Sequence, residues 1–192
     1  MNLPNKLTVA RIILTPFFLA AMVLNFKYHY LVATLIFIAA SVTDFLDGKI
    51  ARKNNLVTTF GKLCDPVADK MLTTAAFLGF AATGVGMGMT IILFITLFRE
   101  FLVSSLRLVT VSSDGRVVAA NIWGKAKTVV QMVSIFLGLL VKALAEQGAI
   151  GADTEEVLLA VVSVLLWIGA ALCVISGIIY LIDCREYINP EK

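Results

Sequence analysis

The chain has 192 residues, 59% hydrophobic and 15% charged, with a formal net charge of +3. An ordinary soluble domain is about 45–50% apolar and about 25% charged, so this composition excludes a large water-soluble core and a separate soluble domain, and leaves one polytopic membrane domain. The charge of +3 says little by itself, and no nucleic acid is expected as a partner.

A membrane-crossing helix needs roughly 20 apolar residues, and six segments qualify. The first is expected from about Thr8 to Phe26, behind an interfacial segment, residues 1–7. Pro4 suits a helix start, and Pro16 predicts a kink. No small-residue cleavage pattern follows the first apolar run, so that run is expected to remain in the protein. The second helix is expected from about Tyr30 to Lys53 and the third from Lys62 to Thr83. The fourth, after a turn at Gly84–Gly88, runs from Met87 to Val109. A polar connection from Ser112 to Gly124 follows, with a turn signal at Asp114-Gly115. The fifth helix is expected from Lys125 to Ala145, then an acidic loop from Glu146 to Glu156, then a sixth helix from Val157 to Ile182. Cys64, Cys173 and Cys184 are odd in number, match no metal spacing and lie in or beside apolar runs, so they read as reduced structural thiols. The expected fold is all-α, with six transmembrane helices.

The distribution of cations sets the orientation. Of the 16 Lys and Arg residues, all but Lys27 and Lys142 fall on the side that carries the N-terminus, the 2–3 and 4–5 connections and the C-terminus. The positive-inside rule makes that side cytoplasmic. An even number of spans also requires both termini on one side.

Ionisable residues inside spans cost roughly 2.5–3.5 kcal/mol each on insertion scales and mark function by default. Asp44, Asp69, Lys70, Arg99 and Glu100 all fall there. Asp44 and Asp47 close the second apolar run, and Asp65 and Asp69 open the third. On helices, the i,i+3 and i,i+4 offsets put each pair on one face. Gly48 and Ala51 share the first face and Gly61 the second, so the two acidic faces can approach closely. Four carboxylates at one depth repel one another and call for cations. Oxygen-only ligands favour hard divalent ions such as Mg²⁺, Mn²⁺ or Ca²⁺. The single histidine, His29, is expected on the other side, which argues against zinc. Two such ions bridged by carboxylates are a standard device for displacement at phosphorus. Gly48 and Gly61 allow a phosphate close to the backbone, and Arg52 lies one turn beyond Gly48, placed for a phosphate. Pro66 disfavours helix at Asp65, so the third helix is expected to begin or bend near it.

The spacing reads Asp44-x2-Asp47-Gly48-x2-Ala51-Arg52-x8-Gly61-x3-Asp65-x3-Asp69. This resembles, without a departure, the signature of the CDP-alcohol phosphotransferase family. The six-helix layout is similar too, so the resemblance covers most of the chain. The opening set Asn2, Pro4, Asn5, Thr8 and Arg11, and the Arg99-Glu100 pair, look like the bacterial branch that uses glycerol 3-phosphate as acceptor. The resemblance implies that Asp44, Asp47, Asp65 and Asp69 hold two divalent cations, Mg²⁺ or Mn²⁺. It implies that Asp69 is also the general base and that Gly48, Ala51, Arg52 and Gly61 cradle the CDP group. Phosphatidyl transfer from CDP-diacylglycerol to glycerol 3-phosphate, with CMP leaving, is the implied reaction. A homodimer in the bacterial cytoplasmic membrane, surrounded by membrane lipids and with its site facing the cytoplasm, is implied as well.

A soluble dianionic acceptor needs basic residues of its own, and Arg99, Arg107, Arg116, Lys125 and Lys127 lie on the expected side. Guanidinium suits bidentate phosphate binding. Arg99 has a competing reading as an internal ion pair with Glu100, and Lys127 and Arg116 read more readily as positive-inside anchors. Asn5, Thr8 and Arg11 have helical spacing and could serve the lipid–diphosphate end. Gly138, Gly169 and Gly177 read as helix-packing positions. The same chemistry with phosphatidylglycerol, inositol phosphate or serine as acceptor is the sister reading. A cation path lined by aspartates belongs to another class. It expects a site near the midplane with access from both sides, whereas these aspartates gather toward one face.

Overall fold

Lipid offers no hydrogen bonds to a peptide group, so a lipid-facing apolar run must satisfy its own backbone, and it does so as a helix. The structure, a computed structural model, describes residues 2–53, 59–114 and 121–185. Within these ranges the side chains at 3–4, 45–53, 59–60, 62–63, 65–66, 69 and 111–114 lie outside the description. The described residues form six helices: α1 (Leu3–Val23), α2 (His29–Lys53), α3 (Thr59–Thr83), α4 (Met89–Asp114), α5 (Ile122–Glu146) and α6 (Ala152–Asp183). Four stretches within them are long and apolar enough to cross a membrane: Asn5–Val23, Met89–Thr110, Ile122–Glu146 and Ala152–Asp183. His29–Asp44 of α2 is a shorter apolar helix. Six helices thus match the sequence expectation, while hydropathy alone singles out four spans.

The boundaries differ from the expectation at polar helix ends. α1 begins at Leu3, so most of the segment 1–7 is its first turns; Asn2 precedes it in extended conformation, and Pro4 sits in the first turn. α1 then continues through Pro16. α3 begins at Thr59, which puts Asp65-Pro66 within the helix. α4 extends to Asp114, and α5 begins at Ile122 after Asn121, whose Oδ1 accepts from the Gly124 N–H at 2.7 Å. α6 begins at Ala152, so Asp153 and Glu155 belong to its first turn and complement its dipole. In each case polar residues continue a helix beyond the apolar run that reveals it.

α1 packs on α2 and α3, α2 on α5, α5 on α6, α6 on α4 and α4 on α3. The helices therefore form a ring in the order 1-2-5-6-4-3, with α3 also touching α5 and α2. The ring has an apolar half and a polar half. Phe18, Met22, Phe37, Phe77, Phe80, Ile92, Ile135, Leu139 and Leu166 fill the first, toward the C-terminus of α1. Small residues permit close approach there: a Cβ on Gly138 would lie 2.7 Å from Phe80 Cζ.

The apolar end is also closed by backbone capping. Gly84 (φ +70°) ends α3, with the Val85 N–H donating to Phe80 O at 2.9 Å. Gly148 (φ +70°) ends α5 in the same way, with Ala149 N–H donating to Leu144 O at 3.0 Å. This is the left-handed glycine cap that satisfies orphan carbonyls. Glu146 reaches from the end of α5 to the start of α2, where its two oxygens accept from the N–H groups of His29 (3.0 Å) and Tyr30 (3.1 Å). Lys142 pairs with Glu155 at 2.7 Å and lies over the Tyr30 ring. Large apolar residues such as Ile91 and Leu108 of α4 are exposed, as a lipid-facing surface requires.

Candidate functional site

The polar half of the ring is built around two ionic groupings. The first joins α1 to α2. Asn5, Thr8, Arg11 and Thr15 recur every three to four residues along α1 and are all buried. Arg11 donates through Nη1 to Asp44 Oδ1. The arginine side chain is 1% exposed and the carboxylate 49%. A buried guanidinium needs a partner, and here that partner is the first aspartate of the spaced stretch. Asp44 itself stays half-exposed.

The second grouping lies among α3, α4, α5 and α6. Glu100 Oε1 accepts from Lys127 Nζ and, at 3.0 Å, from Arg99 Nη1; Glu100 Oε2 lies 3.5 Å from Lys70 Nζ. Lys70 also donates to Ser104 Oγ. Arg99 Nε donates to Ser176 Oγ at 3.0 Å, and the arginine stem lies near the Gly177 position on α6. Deeper in the bundle, Gln131 Nε2 donates to Thr96 Oγ1 at 3.2 Å and to Cys173 Sγ at 3.4 Å. The neighbouring Gly169 has no Cβ to push against Gln131 Cγ, which would lie 3.1 Å away.

Between α1, α3, α4 and α5 is a cavity of about 720 Å³. Its polar lining includes Thr15, Lys70, Thr73, Glu100, Ser104, Lys127 and Gln131, and its apolar lining includes Leu19, Met71, Leu78, Leu97 and Phe101. Both groupings border it, the first through Thr15, whose Oγ1 donates to Arg11 O at 2.9 Å.

The aspartate stretch occupies the end of α2 and the start of α3. Asp47, Gly48, Ala51, Arg52, Asp65 and Asp69 lie on helical backbone, but their side chains are outside the described residues. Gly61 is on α3 and buried, and Arg116 is outside the description altogether. Helical backbone gives Asp44 and Asp47 one face of α2, and Asp65 and Asp69 one face of α3. Four carboxylates at these spacings, one half-exposed and held by an arginine, fit a hard divalent cation as a donor set.

The acceptor candidates separate. Arg99 takes the internal ion pair with Glu100, the reading that competed for it in the sequence. Arg107 and Lys125 are exposed at the ends of α4 and α5, outside the lining of the cavity. Lys127, which read as an anchor, is instead buried at 8% exposure and faces Glu100. A signal for this was present. Lys127, Gln131 and Ser134 share one helical face in an otherwise apolar segment, and all three are buried. The three cysteines are free thiols, Cys173 and Cys184 fully buried.

Comparison with known proteins agrees with the sequence motif. The family model for CDP-alcohol phosphatidyltransferase matches residues 1–180. A Bacillus subtilis protein named CDP-diacylglycerol–glycerol-3-phosphate 3-phosphatidyltransferase is 42% identical over 151 residues, covering 72% of this chain and 77% of its own length. A Rickettsia felis protein of the same name is 38% identical over 190 residues, 97% of each chain. A Haemophilus influenzae protein, again so named, is 39% identical over 135 residues, 70% of this chain and 73% of its own.

Proposed function

Because the chain belongs to the CDP-alcohol phosphatidyltransferase family, we propose that it is the enzyme that transfers the phosphatidyl group of CDP-diacylglycerol to glycerol 3-phosphate. The products are phosphatidylglycerophosphate and CMP. The observation that carries this reading is the complete aspartate signature on the adjoining ends of α2 and α3, inside a family match of residues 1–180. The acceptor is the one named for relatives that align with up to 97% of this chain.

In this reading Gly48, Ala51, Arg52 and Gly61 hold the CDP group, the two missing β-carbons letting the diphosphate approach the helices. Asn5, Thr8 and Arg11 line its lipid side, and Arg11 fixes the carboxylate of Asp44. Asp69 takes the proton from the 1-hydroxyl of glycerol 3-phosphate. The acceptor oxygen bonds to the phosphatidyl phosphorus as the bond from that phosphorus to the CMP oxygen breaks. Two divalent cations, Mg²⁺ or Mn²⁺, held by Asp44, Asp47, Asp65 and Asp69, would neutralise the diphosphate oxygens and acidify the acceptor hydroxyl when bound. Six spans with both termini in the cytoplasm of a bacterium put this end of the ring at the inner face, where nucleotide and acceptor arrive from water and the acyl chains stay in lipid. Cations on both termini and on the 2–3 and 4–5 connections support that orientation. A homodimer is part of the same reading.

Purified protein with CDP-diacylglycerol and Mg²⁺, offered glycerol 3-phosphate, phosphatidylglycerol, inositol phosphate and serine separately, tests it through CMP release. Release with glycerol 3-phosphate is expected. Release only with another acceptor overturns the choice of substrate.

A further inference from the structure

We propose that Glu100 is a positioning residue for the acceptor: it holds Lys127 and Lys70 in the cavity as a preset cationic pair that receives the phosphate of glycerol 3-phosphate. This rests on the function proposed above and concerns a residue outside the aspartate signature. One carboxylate joins three helices here, with Lys70 of α3, Arg99 of α4 itself and Lys127 of α5 all within ion-pair distance of it. Glu100, Lys127 and Lys70 all line the cavity. Lys70 follows Asp69 directly, and Thr73, one turn beyond Asp69, lines the same space. The cationic pair therefore borders the segment that carries the proposed base.

Charge completes the argument. Glu100 offsets one of the three cations that surround it, so the cluster, in which Arg99 and Lys127 are mostly buried and Lys70 is about a third exposed, has an excess of two positive charges. Buried excess charge is costly and favours an opposite partner, and glycerol 3-phosphate in its dianionic form supplies two negative charges. The distribution of roles is also visible. Arg99 spends its Nε on Ser176 and its Nη1 on Glu100, and packs beside Gly177, so it braces the carboxylate. Lys127 and Lys70 each present a mobile-stemmed ammonium to the cavity and meet at the same carboxyl group. Without the carboxylate, three like charges would face one another at short range, and the lysines would swing apart. With it, both ammonium groups stand in place before the acceptor enters, which lowers the ordering cost of binding.

The test is steady-state kinetics of the full-length detergent-purified enzyme with Mg²⁺, varying glycerol 3-phosphate and CDP-diacylglycerol in turn. Glu100→Gln should raise the KM for glycerol 3-phosphate tenfold or more and leave the KM for CDP-diacylglycerol within twofold. Glu100→Asp, which keeps the charge one methylene short, should restore most of the loss. Lys127→Gln should raise the same KM, and the Lys127→Gln/Glu100→Gln double variant should be no worse than the poorer single one. An acceptor KM that stays level or falls in Glu100→Gln, an equal rise in both KM values, or multiplicative effects in the double variant overturns the proposal. If Glu100→Gln does not accumulate as folded protein, Glu100→Asp decides: an acceptor KM raised at least twofold with the lipid KM unchanged supports it, and two unchanged values overturn it. A wild-type enzyme that ignores glycerol 3-phosphate overturns the underlying function instead, so the two failures are distinguishable.

Discussion

Arg11 and Asp44 form an ion pair between α1 and α2 in which the arginine is buried and the aspartate half-exposed. The pair orients a carboxylate without consuming it. Groups that hold a metal-ligating carboxylate typically change metal affinity about 10–100-fold when removed. Arg11→Ala should therefore raise the Mg²⁺ or Mn²⁺ concentration giving half-maximal CMP release by about tenfold or more. Arg11→Lys should fall between the two, because an ammonium keeps the charge but not the planar fork. A metal titration of purified variants measures this, and an unchanged midpoint would detach Arg11 from the site.

Asp69→Asn removes the proposed proton acceptor while keeping the shape of the side chain. General-base catalysis is worth about 10²–10⁴-fold, so kcat should drop by at least about a hundredfold. Single-turnover transfer to radiolabelled glycerol 3-phosphate is the appropriate assay, and more than half the wild-type rate would refute the role.

Glu146 acts at the opposite end. Its carboxylate caps two N–H groups of α2, and losing a cap costs about 0.5–2 kcal/mol. Glu146→Ala should lower the thermal midpoint by a few degrees while kcat and both KM values stay within twofold at low temperature. A selective kinetic defect would contradict its assignment to stability.

Gly138 faces the ring of Phe80 on α3, with no room for a β-carbon. Phe80 is itself fully buried, so it cannot move into open space. Overpacking of this kind costs about 1–3 kcal/mol. Gly138→Val should show that loss in detergent unfolding curves, and wild-type stability would mean that the helices part freely there.

Cys184, just beyond α6, is fully buried, and burial followed by the adjacent Asp183 charge pushes its thiol above the ordinary range. The thiolate is the reactive form. Maleimide at neutral pH should modify Cys64 well before Cys184, and labelling of Cys184 should accelerate as pH rises past the usual thiol range. Mass spectrometry of the labelled peptides follows the order, and equal rates would contradict the burial.

The helices were legible in the sequence because lipid requires long apolar runs, and such runs stand out in a chain with mean hydropathy +0.93. Their ends were not. Ser112 to Asp114 and Ile122 to Gly124 read as a connection, yet both stretches continue helices, because a helix that has left the hydrocarbon no longer needs apolar residues. Asn121 did advertise the start of α5, since a side chain that caps Gly124 N is a recognisable signal. Within the site, the aspartate spacing was plain because eight fixed residues leave little room for coincidence. Lys127 was hidden for the opposite reason. A lysine near a helix end satisfies the positive-inside rule whichever way it points. The buried Gln131 one turn later was the clue to its direction.

The buried polar face of α1 also bears on how the protein is made. Asn5, Thr8, Arg11 and Thr15 are shielded by helices that the ribosome has yet to produce, and Asp44 follows Arg11 by 33 residues. A lone α1 in lipid would carry an unshielded guanidinium, at a cost that falls toward the interface but persists. Stable insertion of this helix is therefore expected to depend on the arrival of α2 and α3, and the arginine that holds Asp44 ties the fate of the first helix to that of the second.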